Sequence, residues 1–189
     1  MKKILVILGH PDLKSLNKKI ADSYVDGAKK NFEVKKLYLA EMKFDPILHY
    51  GYSKEQKLEP DLKKAQKYIK WADHIVLVYP IWWTSFPALL KGFIDRTLLP
   101  EFAFKYDNKG KLQKFLTGKT ASLIMTTGGP KLWYFLFGKI MNKPMSIGIL
   151  KFCGINPKKQ IFICDIKKMP EQRVKDIFDK IKKMGEKGI

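Results

Sequence analysis

Apolar runs mark five strand-like segments along the chain. Residues 4–8 and 75–79 are apolar without interruption, which is typical of strands buried on both faces of a parallel sheet. Residues 121–125 and 161–164 have the same character, and residues 34–39 predict a less regular strand. Each run is short enough for a strand and is bounded by turn residues or charges.

Helical periodicity fills the gaps between these runs. Apolar side chains repeat every three or four residues over 16–28, and again from Leu62 to Ala72. Proline is favoured at the first position of a helix, so Pro60, Pro87 and Pro170 predict three helix starts. The last of these helices carries many lysines on its outer face.

Strands that alternate with helices predict an α/β fold. Right-handed crossovers would give a five-stranded parallel sheet between two helical layers, a flavodoxin-like three-layer sandwich with strand order 2-1-3-4-5. We expect a single domain over residues 1–189, since no repeat or linker interrupts the pattern. Two long connections, 101–119 and 130–159, are of the length that usually serves function or an interface.

In such sheets a ligand binds beyond the carboxyl ends of the strands, where the strand order reverses. Three loops follow buried strands at this edge: residues 9–17, 80–86 and 126–134. We therefore expect these loops to form the functional site.

The first loop combines polar donors with a helix start. The amides at the beginning of a helix attract anions, and His10, Ser15 and Asn17 could add ring, hydroxyl and amide donors to a phosphate. An ordinary capped helix after a tight turn explains the same residues. The loop contains neither GxGxxG nor a Walker A pattern, so neither a dinucleotide-binding Rossmann unit nor a P-loop is indicated.

The second loop carries paired tryptophans between two prolines. Trp82 and Trp83 follow Pro80 at the end of a strand. Aromatic side chains in that place form a flat wall for a stacked ring, whereas a hydrophobic plug over the sheet is the simpler alternative. We favour ring binding.

The third loop, Thr126-Thr127-Gly128-Gly129, contains two adjacent glycines. Glycine lets the backbone approach a ligand closely, and the amides could meet a ring atom that gains negative charge. A plain turn between a strand and a helix is the alternative for this loop taken alone.

Composition limits the class of protein. Hydrophobic residues make up 46% of the 189 residues, which excludes a disordered chain. The net charge of +19 raises nucleic acid or anionic lipid as partners. Lysine carries nearly all of this charge and is spread along the chain, whereas base readers favour arginine. The pattern favours a solvated surface, and we expect no nucleic-acid partner.

Two further features bear on location. Cys153 and Cys164 have no metal-ligand spacing and are expected to be small buried residues, so no metal site is predicted. Lys139, Lys143 and Pro144 interrupt the apolar stretch 132–152, which is therefore not a membrane span. A reduced, cytoplasmic setting is the default expectation.

Taken together, the motifs resemble those of the NAD(P)H:quinone oxidoreductases, the DT-diaphorase-like branch of the flavodoxin-like fold. The similar motifs are GHPxxxSxN, PxWW followed by PALLKGFIDR, EFAFKY, TTGG and ILKFCGINP, in this order over nearly the whole chain. The chain looks most like the short bacterial NAD(P)H dehydrogenases. It is also similar to the ancillary subunits of glutathione-gated potassium efflux systems.

The resemblance implies a bound flavin, FMN or FAD, with NAD(P)H as co-substrate, a quinone-like acceptor and a homodimer. It implies that the phosphate and ribityl end of the flavin is held by His10, Ser15, Leu16 and Asn17. The ring would be flanked by Pro80, Ile81, Trp82, Trp83 and Thr84, and on its other edge by Thr126, Thr127, Gly128 and Gly129. Tyr134 would be the catalytic proton-handling residue. Phe104 and Tyr106 would cover the site of the partner subunit.

The chain also departs from the family. The histidine that accompanies the tyrosine in relatives would fall at or near Ile140, and Lys139 is the nearest cation. Lys131 stands where a small residue is more usual, and a glutamine that meets the adenosine half of FAD has no clear match. The departures leave FMN and FAD both open. They also leave an alternative function, a regulatory flavoprotein subunit of a potassium-efflux system that binds a membrane partner and turns over little.

Overall fold

The computed structural model describes residues 1–189, except for the side chain of Lys139. Seven strands lie in the chain at Lys3–Leu8, Glu33–Tyr38, His74–Pro80, Phe104–Tyr106, Leu112–Lys114, Thr120–Thr126 and Asn156–Ile163, numbered β1 to β7. Five helices lie at Leu16–Ala28, Pro60–Trp71, Ala88–Thr97, Lys131–Lys143 and Glu171–Lys187, numbered α1 to α5. A π-helical segment, Pro144–Lys151, continues α4.

The five long strands form one parallel sheet in the order β2-β1-β3-β6-β7. In chain order of the five parallel strands this is 2-1-3-4-5, which confirms the predicted topology. Alternate residues of β1 enter the two hydrophobic cores: Leu5 and Ile7 on one face, and Ile4, Val6 and Leu8 on the other. The sheet is buried on both faces because helices cover each of them, which explains the uninterrupted apolar runs.

Helices α1 and α5 pack closely on one face of the sheet. A Cβ atom added at Gly27 would lie 2.0 Å from the carbonyl oxygen of Lys182, and one added at Gly185 would lie 2.2 Å from that of Tyr24. Only glycine permits this approach at both positions. Tyr24 and Gly27 belong to the last turns of α1, so this contact fixes that end of the helix against α5.

The two long connections contain regular structure that the periodicity did not predict. Residues 101–119 hold the antiparallel hairpin of β4 and β5, and most of residues 130–159 forms α4 and the π-helical segment. The interpretation of both segments as loops was wrong. Apolar residues occur on nearly every side of α4, so no helical face stands out in its sequence.

The expected burial of the two cysteines is confirmed. Cys153 and Cys164 are buried, and Met141 and Met145 pack in the core. Arg96 is completely buried and forms an ion pair with Glu59 at 2.9 Å rather than facing the candidate site. It also donates to the carbonyl oxygens of residues 45 and 57, which ties the irregular segment 42–59 to α3.

None of the helices formed by the described residues has both the length and the apolar character needed to span a bilayer. Within the same part of the chain, no group of three or more His, Cys, Asp or Glu side chains is arranged to hold a metal ion.

Candidate functional site

The structure brings the three candidate loops together at the carboxyl edge of β1, β3 and β6. His10 of the first loop meets Trp82 of the second edge to face, with ring centroids 5.4 Å apart. Asn17 of α1 donates from Nδ2 to Oγ1 of Thr126 at 2.8 Å, which joins the first loop to the third. The backbone N–H of Ile81 donates to the carbonyl oxygen of Thr126 at 2.8 Å and joins the second to the third.

The first loop presents donors at the start of α1. Ser15 caps the helix by accepting the backbone N–H of Lys18 at 3.3 Å, and Leu16 is its first residue. His10 accepts the backbone N–H of Asp12 on Nδ1 at 2.9 Å, which leaves the ring proton on Nε2. Burial lowers the pKa of His10, so the ring is neutral near pH 7 and Nε2–H remains a donor. These groups suit an anionic phosphate.

Asn17 is buried at the junction of the first and third loops. Only 2% of the residue is exposed, and Oδ1 has no hydrogen-bond partner among the described residues. A buried acceptor without a donor costs free energy. A ligand hydroxyl or amide at this place would satisfy it, as the ribityl chain of a flavin would.

The second loop is a two-residue hairpin turn. Trp82 and Ser85 exchange backbone hydrogen bonds of 2.9 Å in both directions, and φ is positive at Trp83 (49°) and Thr84 (60°). Positive φ at two side-chain-bearing residues is strained, and such strain concentrates at functional sites. The turn leaves Trp83 98% exposed at the carboxyl edge. Pro80 and Ile81 are buried beneath it and support the turn.

The third loop contains a short hydrogen-bond chain. The N–H of Gly129 donates to Oγ1 of Thr127 at 3.1 Å, and the hydroxyl of Thr127 bonds that of Tyr134. The Gly129 N–H is therefore already used inside the loop. Of the two glycine amides expected to donate to a ligand ring, only that of Gly128 remains free for it. None of the hydrogen bonds within the described residues uses the Gly128 N–H.

The structure also places a cation that the sequence did not single out. A Cβ atom added at Gly128 would have only the side chain of Lys167 near it, at 3.8 Å, so the loop surface there is open. Asp165 adopts the left-handed conformation and donates its N–H to the Gly129 carbonyl at 3.1 Å. Nothing local in a lysine-rich sequence distinguishes Lys167 from the other lysines, because its place depends on this backbone contact.

Some predicted residues lie apart from the three loops. Phe104 and Tyr106 belong to β4, and Phe104 contacts Phe152 with ring centroids 4.9 Å apart. They line a cavity of about 540 Å³ between α3 and the π-helical segment. None of the hydrogen bonds or aromatic ring pairs found among the described residues joins them to the three loops. The side chain of Lys139 lies outside the described part of the chain.

A parallel sheet with polar and aromatic loops at its switch point defines the class of α/β proteins in which ligands bind at this edge. A sequence model described as flavodoxin-like fold matches residues 2–187. This chain belongs to the flavodoxin-like fold family.

Several relatives agree with this assignment. An uncharacterized NAD(P)H oxidoreductase of Haemophilus influenzae is 34% identical over 158 residues, which cover 80% of this chain and 78% of that protein. NAD(P)H dehydrogenase (quinone) 1 of Rattus norvegicus is 30% identical over 180 residues, covering 82% of this chain. The chain spans only 65% of the length of that rat protein.

Solved structures have the same fold. The crystal structure of Smu.1420 from Streptococcus mutans is 31% identical, with a TM-score of 0.84 over 98% of this chain and 99% of that one. The NAD(P)H:quinone oxidoreductase from Methanothermobacter marburgensis has a TM-score of 0.85 at 18% identity, covering 100% of this chain and 99% of that chain. The second likeness concerns the fold alone.

Proposed function

We propose that the chain is a flavin-dependent oxidoreductase that passes two electrons from NADH or NADPH to a quinone or a similar acceptor. The convergence of the three loops carries this proposal, since it places anion donors, an exposed aromatic wall and an open glycine loop side by side. The names of the rat and Haemophilus relatives support the same chemistry.

The residues of the site fit a flavin. A phosphate would lie against the start of α1 and His10, and a ring would lie between the Trp83 hairpin and Gly128. A bound flavin supplies hydride acceptance from NAD(P)H and two-electron return to a quinone. The loops hold the part that FMN and FAD share, so the proposal is common to both cofactors.

The chain's own groups would assist by orienting and by proton handling. The Gly128 N–H is placed to stabilise negative charge at a ring edge, and a lost donor of this type costs about 3 kcal/mol of barrier. Because the Thr127 hydroxyl donates to Tyr134, the phenolic hydrogen of Tyr134 is left to donate into the site. Trp82 and Trp83 would exclude water from one side of the ring.

We also propose a homodimer, in which Phe104 and Tyr106 of one subunit cover the site of the other. The exposed apolar face of α4 supports this. Its large side chains are 38–82% exposed and comprise Leu132, Trp133, Phe135, Leu136, Phe137 and Ile140. Such a patch on a protein surface generally marks an interface.

The visible absorption spectrum of the purified protein, with chromatography of the cofactor released on denaturation, tests the flavin and distinguishes FMN from FAD. A colourless protein that takes up no added flavin would contradict the proposal. Turnover of NADH or NADPH with a simple quinone then tests the activity. Bound flavin with little turnover would favour the regulatory subunit of a potassium-efflux system instead.

A further inference from the structure

A second cavity lies along the open edge of β7, beside the third loop. Its volume is about 280 Å³. Strand β7 is the last in the sheet and pairs only with β6. The wall of the cavity is formed by Ile161 and Ile163 of the strand and by Ile177 of α5. An apolar wall on an open strand edge leaves room for a flat group of a ligand.

Three cations surround this cavity. Lys131 begins α4, and Arg173 and Lys180 project from α5. No carboxylate lines the cavity, and none of the ion pairs found within the described residues includes these three side chains. Arg173 makes one long hydrogen bond, 3.4 Å, to the carbonyl oxygen of Cys164. Most of its donors therefore remain available to a ligand.

All three cations line this one cavity, and two of them act on the Cys164 thiol beside it. Burial raises the pKa of the Cys164 thiol, and Asp165 adds to this effect. Arg173 and Lys131 both act in the opposite direction on the same thiol, which places both charges near it although they come from different helices. Arg173 and Lys131 repel each other across a cavity that no carboxylate lines, and an anion bound there would relieve that repulsion.

The cavity adjoins the proposed flavin site. Lys131 follows Gly129 by two residues, so their Cα atoms lie within about 7.6 Å of each other. Phe162 also borders the cavity, and its ring, on the opposite face of the sheet from Ile161 and Ile163, lies 5.9 Å from the ring of Tyr134. A co-substrate whose nicotinamide stacks at the Trp83 hairpin could extend its other end over this short distance.

We propose that this cavity binds the 2′-phosphate of NADPH and gives the protein a preference for NADPH over NADH. The inference rests on the proposed function, because it concerns the co-substrate of the same site. A phosphate monoester carries a charge of about −1.5 to −2 at pH 7 and accepts paired hydrogen bonds from a guanidinium. Arg173 would bind it in this way, with Lys131 and Lys180 as flanking charges.

Calorimetric titration of the flavin-loaded protein tests the site without turnover. Adenosine 2′,5′-bisphosphate should bind about tenfold more tightly than adenosine 5′-monophosphate, and more tightly than inorganic phosphate. The affinity should fall as salt is raised. Equal affinity for the two nucleotides would overturn the assignment. Inorganic phosphate that binds as tightly as the bisphosphate would overturn it too. The lysines would then only protect the strand edge from pairing.

Two variants locate the site. Arg173→Gln and Lys131→Met should each weaken the bisphosphate by about fivefold or more, since each removes a charged partner of the phosphate. Lys175→Met is the matched control, because it removes the same charge from α5 outside the cavity. Equal losses in all three variants would mean a general effect of net charge and would overturn the proposal.

Kinetics separate this inference from the proposed function. In Arg173→Gln, the KM for NADPH should rise by about fivefold relative to the KM for NADH, whereas Lys175→Met should leave the ratio unchanged. A ratio unchanged in Arg173→Gln, with turnover intact, contradicts the inference alone. If the unaltered protein binds no flavin and turns over neither NADH nor NADPH, the proposed function is contradicted. Titration of the same two nucleotides into the flavin-free protein would then still test the anion site.

Discussion

Contacts with the third loop fix the position of the Tyr134 side chain. Its ring lies against Gly129, where a Cβ atom would come within 2.9 Å of Cε2. Its hydroxyl accepts from Thr127, which in turn accepts from the Gly129 amide. This chain fixes the hydroxyl close to the loop that would contact the flavin.

Replacing Tyr134 by phenylalanine should slow reduction by NAD(P)H by about a hundredfold, the usual contribution of a positioned acid. Stopped-flow measurement of the loss of flavin absorbance tests this, with the bound flavin content measured in parallel. Tyr68→Phe, on α2, removes a hydroxyl outside the three loops and serves as the control. An unchanged reductive rate in Tyr134→Phe would remove Tyr134 from the mechanism.

His74 makes stability depend on pH. The residue is 1% exposed, and burial together with the charge of Lys2 lowers the pKa of the ring to about 4. The unfolded chain, with a pKa of about 6.5, binds more protons than the folded chain between these values. Stability is therefore undiminished above pH 6.5 and falls as the pH drops towards 4.

The loss attributable to His74 should reach about 3 kcal/mol at pH 4, from about 1.4 kcal/mol for each unit of pKa difference. Urea unfolding at pH 7 and pH 4.5, for the unaltered chain and for His74→Gln, measures it. The variant should lose less stability between the two pH values. Parallel losses in both proteins would contradict the role of His74.

At the scale of elements, the Trp82–Ser85 hairpin combines strain with exposure. A two-residue turn with positive φ at both central positions favours Asn-Gly, not Trp-Thr. Left-handed conformation at each side-chain-bearing residue costs about 1 kcal/mol. Trp83 and Thr84 thus adopt a backbone conformation that is unfavourable for both residue types. Such a conformation is expected where contact with a ligand offsets its cost.

The double substitution Trp83→Asn and Thr84→Gly should therefore stabilise the flavin-free protein by about 1–2 kcal/mol and weaken flavin binding. Urea unfolding and fluorescence titration with FMN measure the two effects. Thr84→Ala is the control, because alanine keeps the conformational penalty. A loss of stability in the double variant would mean that the indole packs against the protein rather than against a ligand.

At the scale of the whole molecule, the outer face of α4 is an apolar surface that a single subunit leaves uncovered. Six large apolar side chains of this helix are exposed, and Phe135 reaches 82%. Exposed apolar area of this kind is costly in water, and a second copy of the chain would bury it.

Sedimentation should therefore find a dimer, and Phe135→Lys or Leu136→Lys should shift it towards monomer. Each substitution places a charge in the apolar interface, where it has no partner. Ile189→Lys alters an exposed apolar residue at the end of the chain, 43% exposed, and should leave the dimer intact. A monomeric unaltered protein at micromolar concentration would contradict the proposal.

The sequence by itself predicted five strands, their order and the places of the three loops, although only residues 161–163 of β7 leave an apolar run. Buried strands such as β1 and β3 leave continuous apolar runs, and α1 was predicted to its observed ends, because these patterns arise from local periodicity and from burial on both faces. The loop positions then follow from the topology, since parallel strands end at one edge.

Only the tertiary structure decided the rest. Helix α4 has no polar face to identify it, and the β4–β5 hairpin depends on pairing between distant residues. The engagement of the Gly129 amide, the position of Lys167 and the convergence of Lys131 with Arg173 all depend on contacts between separate elements. Such contacts leave no periodic trace in the chain, because they are set by how elements pack and not by the preferences of neighbouring residues.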